Sequence, residues 1–233
     1  MKVFVTGDTH SDVLGRLNTV SFPEGLIAGS DTVVIILGDF GVLWENTVTE
    51  EEKKEIEFIS NLPYTVCFLD GNHDNFYRIN NLVEVDFCGG KAGKVSDNLY
   101  HLKRGEVYTF GDRKFLTIGG ALSIDQWHRT EGISYWKEEL LTREDTDNCI
   151  RNLMKPEVDY QVDFVLSHTL PLRSQKELCS QLGFEMIKDP TADFLDEMYN
   201  RVAFKHWYCG HWHMNRILTG MTVTTLYELI LEI

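Results

Sequence analysis

A chain of 233 residues, 43% hydrophobic and 25% charged, suits one α/β domain spanning residues 1–233 with a sizeable core. Its net charge of −14 argues against a broad basic nucleic-acid footprint, yet leaves a phosphate ligand open wherever bound cations reverse the local field. No apolar run reaches membrane-spanning length, Gly7 and Asp8 cut the apolar start too short for a signal peptide, and five cysteines without CxxC spacing read as reduced thiols of a cytoplasmic protein.

In chain order, residues 2–6 read as a first strand and Val13 to Val20 as a short helix. Pro23, Gly25 and Gly29 mark a loop before Val33-Val34-Ile35-Ile36-Leu37, an unbroken aliphatic run expected of a central strand buried on both faces. Thr49 to Glu52 has capping-box spacing and opens a helix ending before Pro63. Val66 to Leu69 reads as the next strand, Asp74 to Leu82 as a short helix and Lys91 to Asp97 as a loop. Leu99–Leu102, Glu106–Phe110 and Lys114–Ile118 then read as strands of a second, partly antiparallel sheet, with a hairpin turn at Gly111-Asp112. Thr142 opens a helix to about Met154, and Ser174 to Glu177 has the spacing to open another to about Leu182. Phe164–Ser167, Trp207–Cys209 and the tail from Met221 to Ile233 read as strands.

Five of these apolar runs end in a small residue followed by groups that bind metals. In order they are Asp8-Thr9-His10, Gly38-Asp39, Gly71-Asn72-His73-Asp74, Ser167-His168 and Gly210-His211-Trp212-His213. A carboxylate at the end of a buried strand is costly unless something positive meets it. Carboxylate, imidazole and amide donors without clustered thiolates suit hard to borderline metals: manganese first, with iron, zinc and nickel as alternatives. One such block alone is weak evidence, since a lone Asp caps a helix and a lone His packs in a core. Five in order, each after a strand, point to one shared metal centre.

With these blocks the chain resembles the calcineurin-like metallophosphoesterases, whose pattern is DxH, GDxxD, GNHD or GNHE, a lone His, and GHxH. The resemblance implies a four-layer α/β/β/α sandwich, two mixed β-sheets flanked by helices. It also implies two divalent metal ions about 3.5–4 Å apart. Asp8, His10 and His213 would hold one, Asn72, His168 and His211 the other, and Asp39 would bridge them. A water between the metals would then attack phosphorus in line, with catalytic His73 facing the leaving group. The family's second block often ends in an acid that orients the GNHD histidine, and here that position is Val42. The protein-phosphatase branch carries Asp-Arg-Gly where this chain has Val42-Leu43-Trp44, which argues against that branch.

The segment Gly119 to Arg129 has two readings. In one it is a substrate loop in which His128 or Arg129 meets a phosphate; in the other it is a solvated loop held down by Trp127 and Trp136. His101 and His206 lie outside the blocks and read as structural. The expectation is a metal-dependent phosphoesterase acting on a small-molecule phosphomonoester or phosphodiester, without membrane association. A nuclease of the same family and a non-catalytic scaffold that kept the fold are the alternatives, and a filled set of ligand positions disfavours the scaffold.

Overall fold

The aliphatic run at residues 33–37 divides its side chains by parity. In the computed structural model, which describes residues 1–233, Val33, Ile35 and Leu37 enter one core while Val34 and Ile36 enter another. Alternate residues of a strand point to opposite faces, so a strand covered on both sides must be apolar throughout. The same division holds for β1 (Lys2–Thr6), where Val3 and Val5 face the core that takes Val33, and Phe4 faces the other. With β2 (Thr32–Ile36) and β3 (Thr65–Phe68), β1 forms a parallel set at the heart of the first sheet.

Three helices cover the outer face of that sheet. Asp12 caps α1 (Val13–Leu17), Thr49 caps α2 (Glu50–Ser60), and Asn75 caps α3 (Phe76–Ile79). Val13, Leu17, Ile59 and Ile79 pack there against Phe4, Val34, Ile36 and Phe68. The remaining strands of the sheet are β4 (Val83–Phe87), β5 (Gly90–Ser96) and β6 (Leu99–Leu102), so that its order is β13-β1-β2-β3-β6-β5-β4, with β13 (Leu231–Glu232) at one edge.

The second sheet begins with the hairpin of β7 (Val107–Phe110) and β8 (Arg113–Ile118), turned at Gly111. It continues through β9 (Phe164–Ser167), β10 (His206–Cys209), β11 (Arg216–Leu218) and β12 (Val223–Thr225), in the order β11-β12-β10-β9-β8-β7. Its outer face carries α4 (Arg143–Leu153), α5 (Leu172–Leu182) and α6 (Pro190–Arg201), through Cys149, Leu153, Leu178, Leu195 and Met198. Between the sheets lies the third core, where Val3, Ile35 and Leu69 meet Phe115, Leu166 and Tyr208. The layers are therefore helix, sheet, sheet, helix, both sheets mixed, as the resemblance implied.

Several local expectations fail. The strands of residues 99–118 do not share one sheet: β6 pairs with β3 in the first, while β7 and β8 open the second. Of residues 91–97, expected as a loop, all but Asp97 lie in β5, which forms an edge hairpin with β4. Gly-Lys-Ala-Gly-Lys lacks the apolar alternation that marks a half-buried strand. Ser174 does not open α5, which starts at Leu172 after Pro171; the Ser174 hydroxyl instead meets the Thr219 hydroxyl. The tail is two short strands in different sheets rather than one. Thr142 does open α4, with a complete capping box to Asp145.

Between the two sheets' ends, buried Arg104 donates to Asp70 and Asp145 and to the carbonyls of Glu138, Glu139 and Leu140. Asp70 also meets His101 at 3.0 Å, which gives that histidine its structural role. Burial alone would raise the Asp70 carboxyl; the Arg104 guanidinium and His101 more than offset it and hold the group well below the usual carboxylate range. A downward shift places the stabilising contribution above about pH 4, the unfolded value, and removes it as the pH falls through the depressed one. Arg104→Ala leaves a charge buried beside one histidine and is expected to cost about 3–5 kcal/mol at neutral pH. Urea midpoints should show that gap, and should show it narrowing below about pH 4.

Candidate metal centre

The five blocks sit in loops at the carboxyl ends of parallel strands: β1, β2 and β3 in one sheet, β9 and β10 in the other. Loops at this end of such strands face a common crevice. The backbone at the blocks is bent to bring side chains inward. Asp39, His10, His211 and His213 all adopt positive φ, at 47°, 46°, 66° and 46°. Such conformations cost non-glycine residues roughly 1–2 kcal/mol each and gather where function demands them. Two glycines make the close approach possible. A Cβ on Gly38 would overlap the His168 ring, and one on Gly71 would overlap the Asp39 carboxylate. Ser167 stands where the family pattern often has glycine, and its hydroxyl accepts a bond from Trp207 Nε1 at 2.7 Å.

The donor atoms gather in two groups. In the first, His213 Nε2 lies 3.0 Å from His10 Nε2 and 3.0 Å from Asp8 Oδ2. In the second, His168 Nε2 lies 3.3 Å from Asp39 Oδ1 and 3.1 Å from Asn72 Oδ1. Asp8 belongs to both groups, with its ligand atom near those of His10 and His213 and also near those of Asp39 and His168. Asp39 reaches across as well, with Oδ2 3.9 Å from His10 Nε2. The His211 ring stands 5.0 Å from the His168 ring between centroids, and its backbone N–H holds Asp8 Oδ1 at 2.8 Å. The second group is the buried floor; His10 and His213 form the exposed rim.

The chemistry of these donors fits cations. His168 Nδ1 donates to the Leu37 carbonyl at 2.7 Å, which leaves Nε2 facing two oxygens that can only accept, those of Asp39 and Asn72. Asn72 Oδ1 is identified as the inward atom because Nδ2 donates to Ser123 Oγ. Something positive must stand between these three atoms, either a proton or a metal. Burial opposes the charge on His168, but Asp39 outweighs it and lifts the imidazole to about 10 in the metal-free chain. A metal entering here would take the place of that proton.

A family model described as calcineurin-like phosphoesterase matches residues 1–215. The chain belongs to that family. A comparison with curated proteins returned no match. Membership in the calcineurin-like phosphoesterases carries metal-dependent phosphate-ester hydrolysis with divalent ions in general terms. No helix is long and apolar enough to cross a membrane.

In this calcineurin-like chain His73 stands beside the two groups. Its backbone N–H donates to Asp39 Oδ1 at 2.6 Å, and its ring lies 5.5 Å from that of His10 between centroids. The usual acid is absent at Val42, which is buried in the outer core. Arg129 stands against the ring instead, with Nη1 3.0 Å from Nδ1 and Nη2 3.2 Å from Nε2. Asp125 holds the same guanidinium through Nε and Nη2, both at 2.8 Å. Burial, aided by Arg129, pushes the His73 imidazole down and outweighs the opposing Asp39. Neither sequence reading of this segment, the substrate loop with His128 or Arg129 at a phosphate or the solvated loop, foresaw the contact of Arg129 with His73. The unfilled acid position was the only sign that another group had to serve there.

The structure does not bring His128 to the centre; it lies exposed against Trp127. Trp44 stands 6.4 Å from the His73 ring, whereas Phe40 stacks on Phe68 in the outer core. A cleft of about 570 Å³ opens over Asn72, His73, His211 and His213, with one wall from residues 122–129 and another from residues 184–189. Sequence reasoning did not single out residues 184–189, which follow α5 and match no motif. If the two donor groups hold cations, adding a divalent metal at a hundredfold excess over Kd to stripped protein should raise Tm by about 5–10 °C. Asp39→Asn should lose most of that rise in the same thermal melt.

Proposed function

We propose that the chain is a dinuclear metal-dependent phosphoesterase that hydrolyses a small-molecule phosphomonoester or phosphodiester. Asp8, His10 and His213 hold one cation, and Asn72, His168 and His211 the other. Asp39 is shared between them, and Asp8 stands close enough to both groups to add its charge to each. Manganese is the first choice of metal, and the cytoplasm the expected compartment. The observation that carries this reading is the convergence of the Asp39 and Asn72 oxygens on His168 Nε2, beside the cluster of Asp8, His10 and His213.

When bound, the cations supply Lewis acidity, which lowers the pKa of a water and offsets charge on the phosphoryl oxygens. The chain's own residues do the rest. Leu37 fixes the His168 tautomer, so its ligand nitrogen always faces inward. Ser123 fixes the Asn72 amide and is held in turn by Glu139 at 2.7 Å. Arg129 orients the His73 ring at the cleft, where it faces the leaving-group oxygen. The filled ligand set argues against a scaffold, and the acidic balance disfavours a nuclease, for which affinity would fall steeply with salt.

Turnover of p-nitrophenyl phosphate against its bis-ester, with manganese, iron, zinc and nickel supplied in turn, should show metal-dependent hydrolysis and separate mono- from diesterase. Asp39→Asn should reduce it to background, and near-wild-type turnover would contradict the shared carboxylate. His73→Ala should cost roughly 10²–10⁴-fold on esters with poor leaving groups and much less on p-nitrophenyl esters. An equal loss on both would remove proton donation from its role.

A further inference from the structure

The cleft over the donor groups gathers apolar side chains on an otherwise acidic chain. Phe184, Ile187 and Ile124 line it while 59%, 49% and 66% exposed, and Leu122, Met186 and Trp212 continue the apolar lining inward. Large exposed apolar side chains gathered in one concave place mark a binding surface rather than chance exposure. Apart from Trp212, which follows β10, these lie on two loops that meet at the same end: residues 122–129 after β8, and residues 184–189 between α5 and α6.

The charges in the cleft narrow the occupant. Arg129 is the one Lys or Arg among the lining residues, and its Nε and Nη2 are already held by Asp125. Lys188, in the same loop, does not line the cleft. Glu185 and Asp189 add negative charge to that wall, with Asp189 capping α6 through the Thr191 N–H. A second phosphate or a carboxylate on the substrate would therefore enter an apolar, acid-flanked space without a free partner, which is costly. An uncharged hydrocarbon or aromatic group would gain from leaving water there.

We infer that the substrate is a phosphate ester of an uncharged, apolar alcohol or phenol, whose organic group lies in this cleft between Ile124 and the Phe184–Ile187 wall. The inference rests on the phosphoesterase reading and names its substrate class. In the reaction, water adds to phosphorus and the bond from phosphorus to the ester oxygen breaks. That oxygen takes a proton, and the apolar alcohol leaves along the cleft. Phe184, Ile187 and Ile124 are then specificity residues, whereas the charge of the phosphoryl group is met at the donor groups.

The test pairs binding with turnover. On manganese-loaded protein, calorimetry should show 4-tert-butylphenylphosphonate binding roughly tenfold more tightly than phenylphosphonate, from the added buried methyls. The value of kcat/KM should rise in the same order from O-phosphotyrosine to phenyl phosphate to 4-tert-butylphenyl phosphate, three esters with closely similar leaving-group acidity. Phe184→Ser with Ile187→Ser, both at exposed positions, should bring the phosphonate ratio toward one. Equal binding of the two phosphonates, binding of neither, an unchanged ratio in the double variant, or a preference for O-phosphotyrosine overturns the inference. If no ester turns over while the phosphonate ratio holds and falls in the variant, the phosphoesterase reading fails and the apolar cleft stands.

Discussion

Two carboxylates removed from water at the seam between two sheets set the terms for the rest of the molecule. Asp8 and Asp39 are each 1% exposed. Buried charges without partners are costly, so the chain must supply partners from every direction. The His211 N–H donates to Asp8, the His73 N–H donates to Asp39, and His168 Nε2 stands 3.3 Å from Asp39 Oδ1. Each partner comes from a different strand end. Neither sheet could form this seat alone, because Asp8 and Asp39 belong to the first while His168 and His211 belong to the second.

What was legible in the sequence follows from that constraint. A both-faces-buried strand must be aliphatic throughout, so Val33 to Leu37 announced itself. A candidate ligand at its end needs a small neighbour, so Gly38 and Gly71 stood out beside Asp39 and Asn72. Elements governed by weaker rules were harder to read. The hairpin β4–β5 is an edge that buries little, and glycines and lysines hid its alternation. β6 and β7 part company at Arg104-Gly105, where the Arg104 side chain is held by carbonyls near residue 140 that are distant in the sequence. Ser174 has cap spacing, but a proline three residues earlier began the helix first.

The partner of His73 illustrates a limit of motif reading. The family pattern supplies an acid near this ring, and a chain with Val42 in its place looks incomplete. In the fold the ring is met instead by a cation from residue 129, itself held by Asp125. A carboxylate beside an imidazole favours its charged form, whereas a guanidinium favours the neutral one. The substitution therefore changes the character of the histidine as well as the source of its support. No local signal in Gln126-Trp127-His128-Arg129 distinguishes Arg129 from His128, because the choice is made by how the loop folds over β3's end.

Residues 216–233 lie beyond the part matched to the family, yet they hold the loop of Asp8 and His10 from behind. The Tyr227 carbonyl accepts from the Gly7 N–H and from Arg16, which also donates to the Asp8 carbonyl. In passing from β12 to β13 the same segment leaves one sheet and joins the other. It works as a clasp that keeps the two halves of the seat from drifting apart. A fragment cut at the end of the matched region would keep every candidate ligand and lose the clasp, so trimming this protein to its matched part would loosen the loop that carries Asp8 and His10.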